Sequence, residues 1–237
     1  MRQLVLEPAF ILHTRPYRDT SLLVELFTEQ HGRLTCIAKG ARGKRHAWRH
    51  ILMPFQPLIA AFAGKGEILT LTHAESTGMP LNLQGKSLFC GFYLNELLLY
   101  LLAKQDAFPQ IFQLYVDTLI QLKNIEIIEV SLRYFERYLL SSLGYEIDFN
   151  FDFNGKPIEH DKQYLFRFDQ GFIAVTQQEV TTTALYQGEH LLAIAKDSYN
   201  DIVVLKQAKN IFSAKIQFLL GHKTLKSREI FQACLTT

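Results

Sequence analysis

Cysteine is scarce in this sequence: Cys36, Cys90 and Cys234 are its only three, far apart and in no C-x-x-C pair. That spacing argues against both a disulfide framework and a thiolate metal site, and it suits a reducing compartment. Long apolar runs are missing as well. No stretch of about 18 apolar residues offers a membrane span, and the opening MRQLVLEPAF lacks the apolar core of a secretory signal. A soluble, cytoplasmic protein is expected. No phosphate loop, no G-x-G-x-x-G after a strand, no G-x-S-x-G and no H-E-x-x-H occurs, and Gly64-Lys65-Gly66 is too short to count. Nothing nominates a nucleophile with its base, so no enzymatic activity is expected. The eight histidines are scattered; His46 and His50 lie four apart but without an acidic pair, so no metal or other cofactor is expected. Asp148, Asp152, Glu159, Asp161 and Asp169 contain no calcium-loop spacing and read as a solvated acidic face. There is no internal repeat and no low-complexity segment.

What is present is ample material for a core: 48% hydrophobic and 12% aromatic residues in a chain of 237, enough for one large domain or two to three small ones. Residues 3 to 76 read as β structure. Phe10 to His13, Ser21 to Thr28 and Arg33 to Lys39 are separated by turn chemistry at Arg15-Pro16-Tyr17-Arg18-Asp19 and at Gln30-His31-Gly32. Leu58 to Phe62 and Ile68 to Thr72 follow, joined by a hairpin over Ala63 to Glu67. Five short strands in so few residues predict a small barrel of the OB type over residues 1–80. The composition changes at Met79-Pro80. A helical domain is expected over 81–237, with helices from Gln84, from Pro109 to Leu122, and from Glu126 to Leu143 with Gly144 as the cap. Residues 145–180 return to strand text, Tyr164 to Phe168 and Phe172 to Val175 about an Asp169-Gln170-Gly171 turn, and read as a β-hairpin insert. Helices over Thr183 to Ala195, Asp201 to Leu220 and Ser227 to Cys234 complete an α+β chain.

The formal net charge is only +2, but it is unevenly placed: residues 1–80 hold ten Lys or Arg against six Asp or Glu, and the remainder holds fifteen against seventeen. Most of the excess lies in one loop, GRLTCIAKGARGKRHAWR over Gly32 to Arg49, which carries Lys39, Arg42, Lys44, Arg45 and Arg49 with Gly40 and Gly43 between them. Cations this close repel one another, so the loop needs free solvent or a polyanion. One reading is phosphate binding, with bases stacking on Tyr17, Phe27, Trp48 or Phe62; the other is a solvated loop that keeps an edge strand soluble. Arg15 and Arg18, placed in the first turn, extend the basic surface or are ordinary turn charges. Lys223, Lys226 and Arg228 form a second cluster, open to a nucleic-acid role or to helix capping around Ser227. Arg133 and Arg137 share a helix face beside Tyr134 and Tyr138. They either edge a groove for an acidic, hydrophobic peptide end, or pair with Glu136 or Glu129.

Beyond these local features, a series of motifs runs through the chain. Phe10-Ile11-Leu12-His13-Thr14-Arg15-Pro16-Tyr17, Asp19-Thr20-Ser21-Leu22-Leu23, Phe27-Thr28, Gly32-Arg33, Ala38-Lys39-Gly40-Ala41-Arg42, Leu52-Met53-Pro54-Phe55-Gln56-Pro57-Leu58, Tyr93-Leu94-Asn95-Glu96-Leu97, Arg133-Tyr134-Phe135-Glu136, Leu143-Gly144-Tyr145, Gly171-Phe172 and Leu225-Lys226-Ser227-Arg228-Glu229 occur in this order. The series resembles the RecO family of bacterial recombination mediators over nearly the whole chain. The resemblance implies an OB-fold followed by a helical domain. It also implies binding of single- and double-stranded DNA, annealing of complementary strands, and work with RecR and, in some members, RecF, so that RecA displaces single-strand-binding protein from gapped DNA in the nucleoid. In the family the helical domain binds the acidic C-terminal tail of single-strand-binding protein, which favours the groove reading for Arg133, Tyr134 and Arg137. Arg15, Arg18, Arg33, Lys39, Arg42, Lys44, Arg45 and Arg49 are the expected phosphate contacts, supported by the tail cluster. Some relatives carry a four-cysteine zinc module in the insert; residues 145–180 here hold no cysteine, so zinc is not expected. Two other classes stay open: an interaction scaffold whose barrel and helices grip proteins, and a nuclease or phosphate-transfer enzyme, which would need a carboxylate cluster that is missing.

Overall fold

A computed structural model describes residues 6–43, 47–175 and 184–235, without the side chains of 47 and 232–235. Lys44, Arg45 and His46 lie outside the described residues. Packing divides the chain into two compact units, one up to residue 128 and again from 224, the other over 129–223.

In the first unit, strands β1 (Glu7–Tyr17), β2 (Ser21–Thr28), β3 (Gly32–Ala38), β4 (Leu58–Ala63) and β5 (Ile68–Ser76) close into a barrel in the order β1-β2-β3-β5-β4. Every pair is antiparallel except β3 with β5, where Thr35 to Ile37 lie opposite Ile68 to Thr70. This is the OB-type barrel. Successive side chains on a strand point to opposite faces, so Ala9 and Ile11, Val24 and Leu26, and Leu34 and Cys36 fill the interior with almost no exposure. The alternate residues of β1 and β2, among them Phe10, Leu12, Leu23 and Phe27, are buried too. Those two strands therefore read as nearly continuous apolar text rather than as an alternating pattern.

Helices α1 (Gly85–Leu101) and α2 (Pro109–Gln121) supply the cover. Phe10 and Phe27 meet Tyr115 edge-on at 5.5 and 5.9 Å between ring centres, and Phe27 lies 5.3 Å from Phe112. One polar relay crosses this apolar contact. The Asn95 amide donates to the Leu12 carbonyl at 3.0 Å and its oxygen accepts from the Tyr115 hydroxyl at 2.7 Å. Leu12 sits at a register shift between β1 and β2, where the ladder skips a residue and a carbonyl needs another donor. Burial pushes the Tyr115 phenol well above its ordinary pKa, so it remains a donor. Gly32 opens β3 at φ +63°, and a Cβ there would lie 1.7 Å from the Asp106 carbonyl oxygen in the α1–α2 connection. Helix α6 (Lys226–Leu235) belongs to this unit and packs on α1 through Phe231 and Phe89.

The second unit is built on α3 (Ile128–Ser142), which follows a 3-10 turn over Ile125–Ile127 and ends at Gly144, φ +79°. The Tyr145 amide reaches back to the Leu140 carbonyl at 2.8 Å, a glycine-terminated helix end of the Schellman kind. The insert is a three-stranded sheet, β6 (Gln163–Arg167) between β7 (Gly171–Ala174) and β8 (Leu185–Gln187). Helices α4 (Gly188–Ala195) and α5 (Ile202–Leu220) follow, α5 capped by Asp201, whose carboxylate accepts from the Val203 amide at 2.7 Å.

Two expectations change. The first strand runs on through Tyr17, pairing Arg15 with Leu23 and Tyr17 with Ser21, so the turn shortens to residues 18–20 and Arg15 stands on a strand. The edge bond to β6 likewise recruits Leu185 to Gln187 as strand, and the helix expected from Thr183 begins at Gly188.

Tyr115→Phe leaves the Asn95 oxygen buried without its donor and should lower the unfolding free energy by about 1–3 kcal/mol, read from the urea midpoint. Gly32→Ala should cost more, because it adds a methyl inside the Asp106 carbonyl to an unfavourable backbone conformation.

Candidate nucleic-acid interface

The β1–β2 turn and the loop after β3 meet at one end of the barrel. The Arg42 amide donates to the Thr20 carbonyl at 2.8 Å and its guanidinium to the Arg18 carbonyl at 3.3 Å; the Gly43 amide closes a turn on the Gly40 carbonyl at 2.8 Å. Arg18 and Gly40 have left-handed backbone, φ 51° and 71°, a conformation that costs glycine little. Arg15, Arg18, Lys39 and Arg42 are all exposed. Arg18 rests 5.3 Å over the Tyr17 ring, and none of the four forms an ion pair among the described residues. Arg49 is exposed in a 3-10 turn over Ala47–His50, while Trp48 packs against the barrel core. The site is thus a set of exposed cations, without ion pairs among the described residues, at the end of β1 and on two short, mutually bonded loops, an arrangement that attracts anions.

Other expected contacts are committed elsewhere. Arg33 is mostly buried and paired with Glu25 at 3.5 Å, and its carbonyl accepts from the Gln105 amide. Phe27 is fully buried under α2 and offers no stacking face. In the tail, Lys223 and Lys226 are exposed, but Arg228 is half-buried over the Tyr93 ring, 5.1 Å from its centre, with a bond to the Tyr93 hydroxyl. Helix α6 starts one residue before Ser227. Its first amides, of Lys226 and Ser227, donate to the Glu96 carboxylate at 3.0 and 2.9 Å, and so does the Ser227 hydroxyl. A carboxylate from α1 caps the helix end, which the local sequence did not signal.

In the second unit Arg133 is 2% exposed and bonded to Glu136 at 2.7 Å, so it cannot edge a surface groove; of the two readings for Arg133, the ion pair holds. Arg137 donates to the Ile194 and Ala195 carbonyls and to Asp197, spanning the C-terminal end of α4. That position suits a cation, because the last carbonyls of a helix lack intrahelical donors. Tyr134 bonds the Asp197 carbonyl at 3.1 Å and meets Tyr199 edge-on, yet stays 41% exposed, with Tyr138 at 39%.

The fold defines the class: an OB-type barrel with a basic end, followed by helices. The chain matches the family model "Recombination protein O N terminal" over residues 1–80 and "Recombination protein O C terminal" over 83–229. Curated relatives named DNA repair protein RecO are similar over nearly full length. That of Haemophilus influenzae is 43% identical, covering 95% of each chain; that of Actinobacillus succinogenes is 42% identical, covering 94% of this chain and 93% of its own; that of Pasteurella multocida is 42% identical, covering 98% and 97%. The chain belongs to the RecO family of DNA repair and recombination proteins. No helix among the described residues is long and apolar enough to cross a membrane.

Burial, with Glu25 adding to it, pushes the Cys36 thiol up to about 12. It should therefore stay unmodified when the native protein is treated with a thiol reagent at pH 8 and react only on unfolding, as peptide mass spectrometry would show.

Proposed function

We propose that the chain is a non-enzymatic recombination mediator. It binds single- and double-stranded DNA, anneals complementary strands, and helps to load RecA onto DNA covered by single-strand-binding protein, in partnership with RecR and, where present, RecF. The observation that carries this reading is the cluster of Arg15, Arg18, Lys39 and Arg42, exposed and without an ion pair among the described residues. Two strands repel each other; cations on one rigid end neutralise both and release counterions, so that base encounter limits annealing. Lys44 and Arg45, adjacent in sequence, and the exposed Lys226 of the same unit would extend the contact. The acidic tail of single-strand-binding protein would meet Tyr134 and Tyr138 beside Arg137, without Arg133.

Replacing Arg18, Lys39 and Arg42 together with Ala should remove most annealing and reduce the slope of log affinity against log salt on single strands by about 2, at about 0.7 per phosphate contact. An annealing assay with and without single-strand-binding protein measures the first, and fluorescence anisotropy at several salt concentrations the second. Full annealing by the triple variant would place the DNA elsewhere. The alternative reading, a protein-interaction scaffold, predicts partner binding indifferent to these residues.

A further inference from the structure

Arg18 combines features that an ordinary charged turn residue does not need. Its backbone is left-handed, φ 51°, a conformation unfavourable to a side chain and given in most turns to glycine or asparagine. Arginine stands there all the same, and its guanidinium rests over the Tyr17 ring, 5.3 Å from the centre. The backbone of the turn is pinned: the Arg18 carbonyl accepts from the Arg42 guanidinium at 3.3 Å and the Thr20 carbonyl from the Arg42 amide at 2.8 Å. The Arg18 side chain is not. It is exposed, with no ion pair or hydrogen bond among the described residues. A ring on a fixed strand end therefore carries a cation that is free to leave it.

Tyr17 ends β1 opposite Ser21, and Arg15, two residues earlier, lies opposite Leu23. Side chains two apart share a face of a strand, so the ring stands between the charges of Arg15 and Arg18. It is half-buried, and its hydroxyl has no hydrogen bond among the described residues. The other aromatic side chains of the barrel with a claim on bases are placed differently. Phe27 is fully buried, Trp48 packs against the barrel core, and Phe62 meets the His31 ring at 5.2 Å beside the β2–β3 turn, at the opposite end. A ligand that suits Tyr17 must be anionic, for the cations, and must carry flat groups able to replace a guanidinium on the face of a phenol. Single-stranded nucleic acid meets both demands. A duplex meets only the first, because its bases are stacked on one another and present their edges in the grooves.

We infer that Tyr17 is a base-stacking platform that distinguishes single from double strands: an unpaired base takes the ring face, and Arg18, displaced from it, turns to the adjoining phosphate. The inference rests on the DNA-binding reading above and adds a contact that charge neutralisation does not supply, since cations attract both kinds of strand. Arg15, Lys39 and Arg42 serve either form of DNA; the ring serves one. Annealing then gains a direction, because bases that pair leave the ring and the product is held by charge alone.

The test is fluorescence anisotropy of the full chain with an oligothymidylate, an abasic strand of the same length and a duplex, for the wild type, Tyr17→Ala and Tyr17→Phe. The wild type should bind the oligothymidylate more tightly than the abasic strand. Tyr17→Ala should weaken the oligothymidylate by about tenfold and change the abasic strand and the duplex by less than about twofold. Its slope of log affinity against log salt should match the wild type, because the cations remain. Tyr17→Phe keeps the ring and should bind as the wild type does. Equal weakening on all three DNAs, a shallower salt slope, an unaffected oligothymidylate, or a Phe variant as weak as the Ala variant would overturn the inference and leave the DNA reading standing. The comparison of thymidylate with abasic strand needs no substitution, so it decides even where Tyr17→Ala fails to fold: no preference by the wild type would overturn the inference. Absence of wild-type binding to every DNA would overturn both readings.

Discussion

The β1–β2 hairpin is apolar on both faces. A barrel needs only its inner face apolar, and the outward residues Phe10, Leu12, Leu23 and Phe27 would otherwise leave a broad hydrophobic patch in water. At roughly 1.5–3 kcal/mol for each large side chain removed from solvent, covering that face outweighs any single polar contact in the molecule. Helices α1 and α2 are held to the barrel by this requirement, and the compact unit accordingly extends to residue 128. The Asn95 relay adds little energy by comparison. It does add specificity: only one seating of α1 brings the amide to the Leu12 carbonyl and its oxygen to Tyr115.

With one side of the hairpin committed to the helices, the polar chemistry of the barrel is displaced to its ends. At the end formed by the β1–β2 turn and the loop after β3, short backbone bonds bring Arg18 and Arg42 together and leave their charges unanswered. At the other end, Gly32 lets β3 pass close to Asp106, and Arg33 is neutralised by Glu25. Arg42 and Arg33 differ in their surroundings because one lies on an exposed loop and the other beneath a connection between helices, although both belong to the same basic stretch of sequence.

The second unit shows the same division between charge that is used internally and charge that is left open. Arg133 and Arg137 are one helical turn apart, yet Arg133 is consumed by a buried pair and Arg137 by the end of α4. Left open in this unit are the rings of Phe151, Phe153 and Phe168. Two of these rings come from a stretch in which Phe149, Phe151 and Phe153 alternate with polar residues. Such alternation marks one buried and one open face of an extended segment, but here Phe149 alone is buried and the other two stay about half exposed.

The strand-rich first third, the helical remainder, the β insert and the clustering of positive charge are local matters of composition, periodicity and turn chemistry, and they were legible in the residues themselves. So was family membership, which rests on a long ordered series of short motifs. The extension of β1 to Tyr17, the recruitment of Leu185 to Gln187 as a third strand, and the Glu96 cap of α6 were not, because each depends on a hydrogen-bond partner far away in the chain. For the same reason the sequence could name the basic side chains but not sort them. Whether an arginine is exposed, paired or buried is decided by what the fold places beside it. Burial and pairing are properties of contacts between distant segments, and no local pattern encodes them.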